Sequence, residues 1–271
     1  MKPIPKALTI AGSDSGAGAG IQADLKTFAA LGVYGTSAIA AITAQNTVRV
    51  TRILELDAAL VAAQIETVME DIGAQALKTG MLANAAIIEV VAAKIQRHGL
   101  KNVVVDPVMV AKSGDLLLRR DAIQALRCRL IPLAKVVTPN LPEAEELTGM
   151  RLTRTSEIEE AARRIVALGA TSVVIKGGHR KGPATDLFFD GKAFRELRAP
   201  RIRTRHTHGT GCTFSAAITA YLAKDETVET AVVLAKKYTT EAIRQGFAIG
   251  AGHSPVHHFY RLWNKQKRSM P

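Results

Sequence analysis

Cysteine is nearly absent: Cys128 and Cys212 lie far apart in a chain of 271 residues and belong to no C-x-x-C pair. Neither a zinc site nor a disulfide framework is implied, and a reducing compartment is expected. Aromatic residues are sparse, at 4% with a single Trp, while 47% of the chain is hydrophobic. The core must therefore be assembled from Ala, Val, Ile and Leu, which suits a parallel sheet held between helices. No apolar run reaches the roughly 18 residues that a membrane span requires. The stretch from Met1 to Gly12 holds two prolines and no signal-peptide core. A cytoplasmic protein with no membrane partner is the expectation. Acidic residues are outnumbered, 24 against 36 Lys and Arg, which leaves a formal charge of +12. Such an excess favours anionic partners of any size. The densest basic clusters, Arg198 to Arg205 and Lys265 to Arg268, lack the interleaved aromatics that stack on bases, so nucleic acid is not the expected partner.

What is present is an alternation. Apolar runs at Ala7 to Ile10, Ser37 to Thr43, Ala76 to Thr79, Val103 to Val105, Val136 to Thr138 and Val173 to Lys176 are separated by helix-period segments. The first of these segments places Ile21, Leu25, Phe28 and Leu31 on one face. This order predicts a mainly parallel sheet with helices on both sides. Asp186 to Phe189 and Ala193 to Leu197, joined by Asp190-Gly191, predict an antiparallel ribbon. Long helices follow at Gly211 to Leu222 and Val228 to Gln245. The whole of 1–271 reads as one domain with a basic tail at 265–271.

Most of the polar clusters follow an apolar run, at the sheet edge where open α/β folds bind ligands. Gly12 to Gly20 is glycine-rich and lies between a strand and a helix, so its amides could approach an anion or a flat ligand; a mere tight turn is the lesser alternative. Its glycines alternate, and Ile21 stands where the third glycine of a dinucleotide fingerprint would fall, which argues against a nicotinamide oxidoreductase. No G-x-x-x-x-G-K-[ST] occurs, which argues against a P-loop enzyme. Asp24, beside the apolar stripe, is either a ligand group or an acid favoured in a first helical turn. Gln45-Asn46 could present amides to a heterocycle edge or be ordinary loop residues. Asp106, ahead of Pro107, could hold Mg²⁺ directly or through water, as phosphoryl transfer requires, or initiate a turn. Asn140-x-x-Glu143 fits both metal or phosphate machinery and a helix capping box. Lys176 offers a cation to phosphates.

The sharpest signal is His208-Gly209-Thr210-Gly211-Cys212-Thr213 ahead of a helix. Two glycines there expose consecutive N–H groups to a phosphoryl group in transfer. Cys212 would lie in the positive field of the helix end, with its thiolate favoured, as a base or a ring contact; a buried structural cysteine is the alternative. His206 and His208 have no further partners that would make a metal site. Met81 by spacing alone reads as core.

AGSDSGAGAGIQADLKTFAALGVYG, AQNT, KTGML, DPVMVAKSGD, TPNLPEAEEL, KGGH, THGTGCTFSAA and PVHHF together resemble the bacterial hydroxymethylpyrimidine/phosphomethylpyrimidine kinases, a branch of the ribokinase-like superfamily. They run in that family's order over nearly the whole chain. The resemblance implies a ribokinase-like three-layer α/β/α sandwich with a mostly parallel central sheet, ATP and Mg²⁺, and two successive phosphorylations, of a pyrimidine alcohol and of its monophosphate. It implies that Gly12, Asp24, Gln45, Met81 and Val108 line the pyrimidine pocket. Asp106 and Glu143 would serve the metal, and Asn140, Lys176 and Thr210 the nucleotide. Gly209, Thr210, Gly211 and Cys212 would form the anion hole and base position. A homodimer is likewise implied, and pyridoxal kinases on the same fold make vitamin B6 alcohols the alternative substrates. The family's first loop commonly reads S-G-G-A-G, and Ala17 departs from it.

Overall fold

The computed structural model describes residues 3–109, 120–178 and 182–263. One nine-stranded sheet runs through them in the order β3-β2-β1-β4-β5-β6-β7-β8-β9. Its strands are β1 (Lys6–Asp14), β2 (Tyr34–Gln45), β3 (Val50–Glu55), β4 (Ala76–Thr79), β5 (Val103–Val105), β6 (Val136–Val137), β7 (Val173–Ile175), β8 (Ala184–Phe189) and β9 (Phe194–Ala199). From β2 to β7 all neighbours are parallel; β3 at one edge and β8 and β9 at the other are antiparallel.

Side chains alternate between the two faces of a strand, and the core divides accordingly. Leu8, Ile10, Leu77, Val103, Val105, Val137, Val173 and Ile175 join one cluster with α2 (Ala58–Asp71), α3 (Ala85–Arg97), α5 (Leu141–Thr148) and α6 (Thr155–Ala167). Ala7, Ala76, Val104, Val136 and Val174 join the other, with α1 (Gly20–Ala30), α7 (Thr210–Ala223) and α8 (Val228–Arg244). Helices on both faces make the three layers. A short α4 (Arg120–Ala125) runs through a π turn and a 3-10 turn into β6. Among the described residues no helix is long and apolar enough to cross a membrane.

Helix α7 is buried all round from Thr213 to Ala223, and its Ala216, Ala217 and Ala220 let it lie between α1, α8 and the sheet. This close seat fixes the position of its N-terminus. The ribbon turn forms as expected, with Asp190 Oδ1 accepting the N–H groups of Lys192 and Ala193. The main difference from the sequence expectation is β3. It is an edge strand with mixed exposure, so its six residues show no apolar run. The proposed tail, Lys265 to Arg268 included, lies outside the described residues, as does His179.

Candidate active site

Val104, Val136 and Val174 point into the layer of α1 and α7, and two residues further along, past the strand ends, the same face carries Asp106, Thr138 and Lys176. These three meet. One Asp106 oxygen accepts from Lys176 Nζ at 3.0 Å and Thr138 Oγ1 at 3.2 Å, and the other accepts from Ser215 Oγ of α7 at 3.1 Å. Lys176 Nζ also lies 3.9 Å from Glu143 Oε2. Burial would raise the Asp106 pKa, but Lys176 and then Lys78 hold it below the usual carboxylate value. Glu143 behaves differently: burial lifts its pKa to about 7, against the pull of Lys176 and with a further push from Asp106. Burial alone would lower the Lys176 pKa, yet Asp106 and Glu143 raise it, so the lysine stays a cation.

Asn140 and Glu143 do form the capping box. Glu143 N–H donates to Asn140 Oδ1 at 2.9 Å and Asn140 N–H donates to Glu143 Oε2 at 2.7 Å. The cap and the ionic cluster share one helix end, so α5 sets where Glu143 sits relative to Lys176.

The glycine-rich turn before α7 closes the site. Gly209 holds φ at +73°, a left-handed conformation that admits glycine at little cost. The chain then enters the helix at Thr210, whose Oγ1 donates to Thr207 C=O at 2.7 Å. The Gly211 and Cys212 N–H groups find no hydrogen-bond partner among the described residues, as first-turn amides of a helix do. A β-carbon at Gly211 would lie 3.4 Å from Lys176 Nζ and 3.9 Å from Asp106 Oδ2. Two free amides thus stand beside an ammonium at a helix N-terminus, an arrangement that can take an anion.

Cys212 sits deeper than its sequence position suggested, partly buried, with the Gly20 N–H among the groups that act on its thiol. Burial pushes the thiol up to about 11; Lys78 pulls it down, and Asp24 and Asp106 add to the rise. The expectation of a favoured thiolate is therefore corrected. The helix-end field loses to desolvation and two neighbouring carboxylates, and at neutral pH Cys212 carries its proton.

On the other side of Cys212, Asp24 is wholly buried and bonded through Oδ2 to Lys78 Nζ at 2.8 Å and Thr9 Oγ1 at 2.7 Å; among the described residues Oδ1 has no hydrogen-bond partner. Burial raises the Asp24 pKa, with Lys78 opposing. Lys78 Nζ lies under Gly80, where a β-carbon would be 3.0 Å away. The next residue, Met81, packs with Ala41 and Ala83, and a β-carbon at Gly12 would lie 3.1 Å from its sulfur. Gly12 and Met81 are thus in contact. Gln45 lies half-buried with Nε2 3.5 Å from His208 Nε2. Val108 follows Asp106 and Pro107, half-buried, its N–H donating to the Asp106 C=O at 2.8 Å.

The first glycine-rich loop is also corrected. Its amides do face an anion, but the anion is Asp14, which accepts from Gly16 N–H at 2.8 Å, Gly18 N–H at 3.1 Å and Ala19 N–H at 2.9 Å. Burial would raise the Asp14 pKa, but His208 and these amides lower it. Ala17, the departure from the family loop, takes a left-handed φ of +59°.

Sequence reasoning missed Lys78 and Asp14 as site residues. Lys78 had a signal, since a lysine inside a four-residue strand with both faces covered needs a buried counter-charge. Asp14 had none apart from its place in the loop.

The family profile of phosphomethylpyrimidine kinase matches residues 14–257. The chain belongs to that family. It is 54% identical to a hydroxymethylpyrimidine/phosphomethylpyrimidine kinase of Rhizobium meliloti, covering 95% of this chain and 98% of that one. It is 50% identical to a kinase of the same name from Bacillus subtilis, covering 94% and 95%. Among solved structures, an ADP complex of Bacillus subtilis pyridoxal kinase superposes with a TM-score of 0.89 at 46% identity, covering 96% of this chain and 100% of that chain. Phosphomethylpyrimidine kinases are phosphotransferases, and the three-layer fold with its mostly parallel sheet is theirs. Asp106 and Glu143 are acidic donors that fit a divalent cation, and the groups already on Asp106 favour contact through water. Both Asp106 oxygens are taken by Lys176, Thr138 and Ser215, and among the described residues no cluster of three metal-ligating side chains occurs.

Proposed function

We propose that this chain transfers the γ-phosphoryl group of ATP to the hydroxymethyl oxygen of 4-amino-5-hydroxymethyl-2-methylpyrimidine, and then a second phosphoryl group to the monophosphate, in thiamine biosynthesis. The observation that carries the reading is the pair of free amides at Gly211 and Cys212 beside Lys176. In this reading the acceptor oxygen attacks the γ-phosphorus in line with the departing ADP oxygen, forming one P–O bond as another breaks. The two amides and Lys176 stabilise charge on the transferring group. Asn140 and Thr210 border the nucleotide side. Mg²⁺, arriving on the ATP phosphates and held through water by Asp106 and Glu143, would neutralise phosphate charge.

The acceptor ring lies on Gly12 and Met81, between Gln45, Val108 and Asp24. Cys212 stands where the hydroxyl proton leaves. As a thiol it is a hydrogen-bonding contact, and the hydroxyl proton then leaves on an oxygen of the transferring phosphoryl group; to act as a base it must first lose its own proton to solvent. Cys212→Ala lowering turnover more than it raises the Michaelis constant marks the base; a pure binding defect marks the contact.

Incubating the protein with Mg-ATP and the pyrimidine alcohol, and resolving mono- from diphosphate, tests the proposal. Sequential appearance of both products is expected, and no product would overturn it. The likeness to a pyridoxal kinase supports pyridoxal as a second acceptor, assayed in the same way. A homodimer is supported by the cross-strand pair Ile42 and Leu54, apolar side chains that are both exposed on the β2–β3 edge. The protein would work in the cytoplasm, where ATP is supplied.

A further inference from the structure

One side chain joins the two glycine-rich loops. His208 is buried, and its Nε2 lies 2.8 Å from Asp14 Oδ2, the same oxygen that takes the Gly18 and Ala19 amides. Gln45 Nε2 approaches the same ring nitrogen at 3.5 Å. The loops also touch through their backbones. A β-carbon at Gly209 would lie 1.8 Å from Gly18 C=O, and one at Gly18 would lie 2.1 Å from His208 Cδ2. The imidazole is therefore wedged against Gly18 one peptide bond before the left-handed turn that launches the free amides. Its own backbone is held separately: His208 N–H donates to Ser254 C=O at 3.0 Å, and Val256 N–H donates to His208 C=O at 3.3 Å.

The geometry points to His208 as a positioning residue, which through Asp14 and Gln45 holds the amide cradle of Gly209–Cys212 in register with the loop and the glutamine on the acceptor side. This rests on the reading of that cradle as the phosphoryl site. The reasoning is one of lever arm. Nothing in the ring need touch a reacting atom, but a shift of the Gly209 peptide moves the Gly211 and Cys212 N–H groups directly. Displacement of about 1 Å in such a donor set costs on the order of 100-fold in rate. Because the strap at Ser254–Val256 anchors the His208 main chain independently, replacing the ring leaves the loop attached to the fold.

The test compares His208→Leu, which removes the Nε2 contact, with His208→Gln, which places an amide nitrogen at similar reach. Turnover of the pyrimidine alcohol in His208→Leu is expected to fall by about 100-fold, with one non-hydrolysable ATP analogue still bound per chain. His208→Gln is expected to recover most of the loss. Exchange of the amide hydrogens in residues 207–213 is expected to quicken at least tenfold in His208→Leu and not in His208→Gln, taking the order of magnitude as the threshold. Should His208→Leu fail to fold, Gly18→Ala presses on the ring with every hydrogen-bonding group retained and is expected to show the same slowing and the same faster exchange. Wild-type turnover and exchange in either disruptive variant would overturn the proposal, as would His208→Gln behaving like His208→Leu. A wild-type chain that phosphorylates neither the pyrimidine nor pyridoxal would sink the functional reading instead, leaving the exchange comparison to decide the role of His208.

Discussion

Ala17 holds a left-handed backbone that its methyl group disfavours by about 1–2 kcal/mol. Its N–H donates to the Asp14 C=O at 2.8 Å, and its own C=O takes Lys26 Nζ at 2.8 Å, so the loop imposes the conformation. Replacing it with glycine removes the strain while adding freedom to the unfolded chain. Ala17→Gly is expected to stabilise the protein by about 0.5–1 kcal/mol, read from the midpoint of urea unfolding. A loss of stability would show that the methyl group makes contacts worth more than the strain. Ala17 was visible in the sequence as a departure from the family loop; that it carries a positive φ was not. The same loop shows why Asp14 was hidden. An aspartate among glycines reads as a ligand-facing acid or a turn former, and only the folded loop shows the carboxylate turned back onto its own amides.

Among the elements, β4 does more than complete the sheet. It sends Lys78 up from the apolar layer of Val104 and Val136 to neutralise Asp24 of α1, with neither side chain exposed. Removing one member of such a pair leaves an uncompensated charge and typically costs about 3–5 kcal/mol. Lys78→Met is expected to destabilise by that amount in equilibrium unfolding, and the double variant Asp24→Asn/Lys78→Met to recover most of it. A double variant no better than the single would mean that the pair is not the source of the loss. Parallel strands of this kind were legible because both of their faces are covered, which leaves runs of Val, Ala and Leu. Edge strand β3 was not, since half-exposed residues carry no such run. The helix start at Thr210 was legible from its glycines, whereas the raised pKa of Cys212 was not. It depends on Asp24 and Asp106, which only the tertiary fold brings close.

At the scale of the whole molecule, the C-terminal strap ties the last helix to the site. His258 is buried with Nε2 3.1 Å from Thr213 Oγ1 in the first turn of α7, and its C=O accepts from Tyr238 Oη at 2.6 Å. Burial, with Lys26 nearby, lowers its pKa to about 3. Above pH 6.5 the ring is neutral in folded and unfolded chains alike and adds no pH dependence. Between 6.5 and about 3 the unfolded chain takes up a proton that the native chain refuses, so stability falls as pH falls, by at most about 1.4 kcal/mol per pH unit. Urea unfolding at pH 7.5 and 5.5 is expected to show this decline in the wild type and a smaller one in His258→Gln. Equal declines would remove His258 from the account. The succession of parallel strands along the chain could be read from the chain itself, because strands covered on both faces leave apolar runs, but the order in which the sheet arranges them could not. Nor could the pairing of one loop with another, 194 residues apart in the case of Asp14 and His208.

The account stands or falls on the amides at Gly211 and Cys212. The most direct test is the turnover of Gly211→Val against wild type, with Mg-ATP and the pyrimidine alcohol, at equal occupancy of the nucleotide site. A side chain there would meet Lys176 and Asp106, and turnover is expected to fall by roughly 10²–10³. Near-normal turnover would contradict the account.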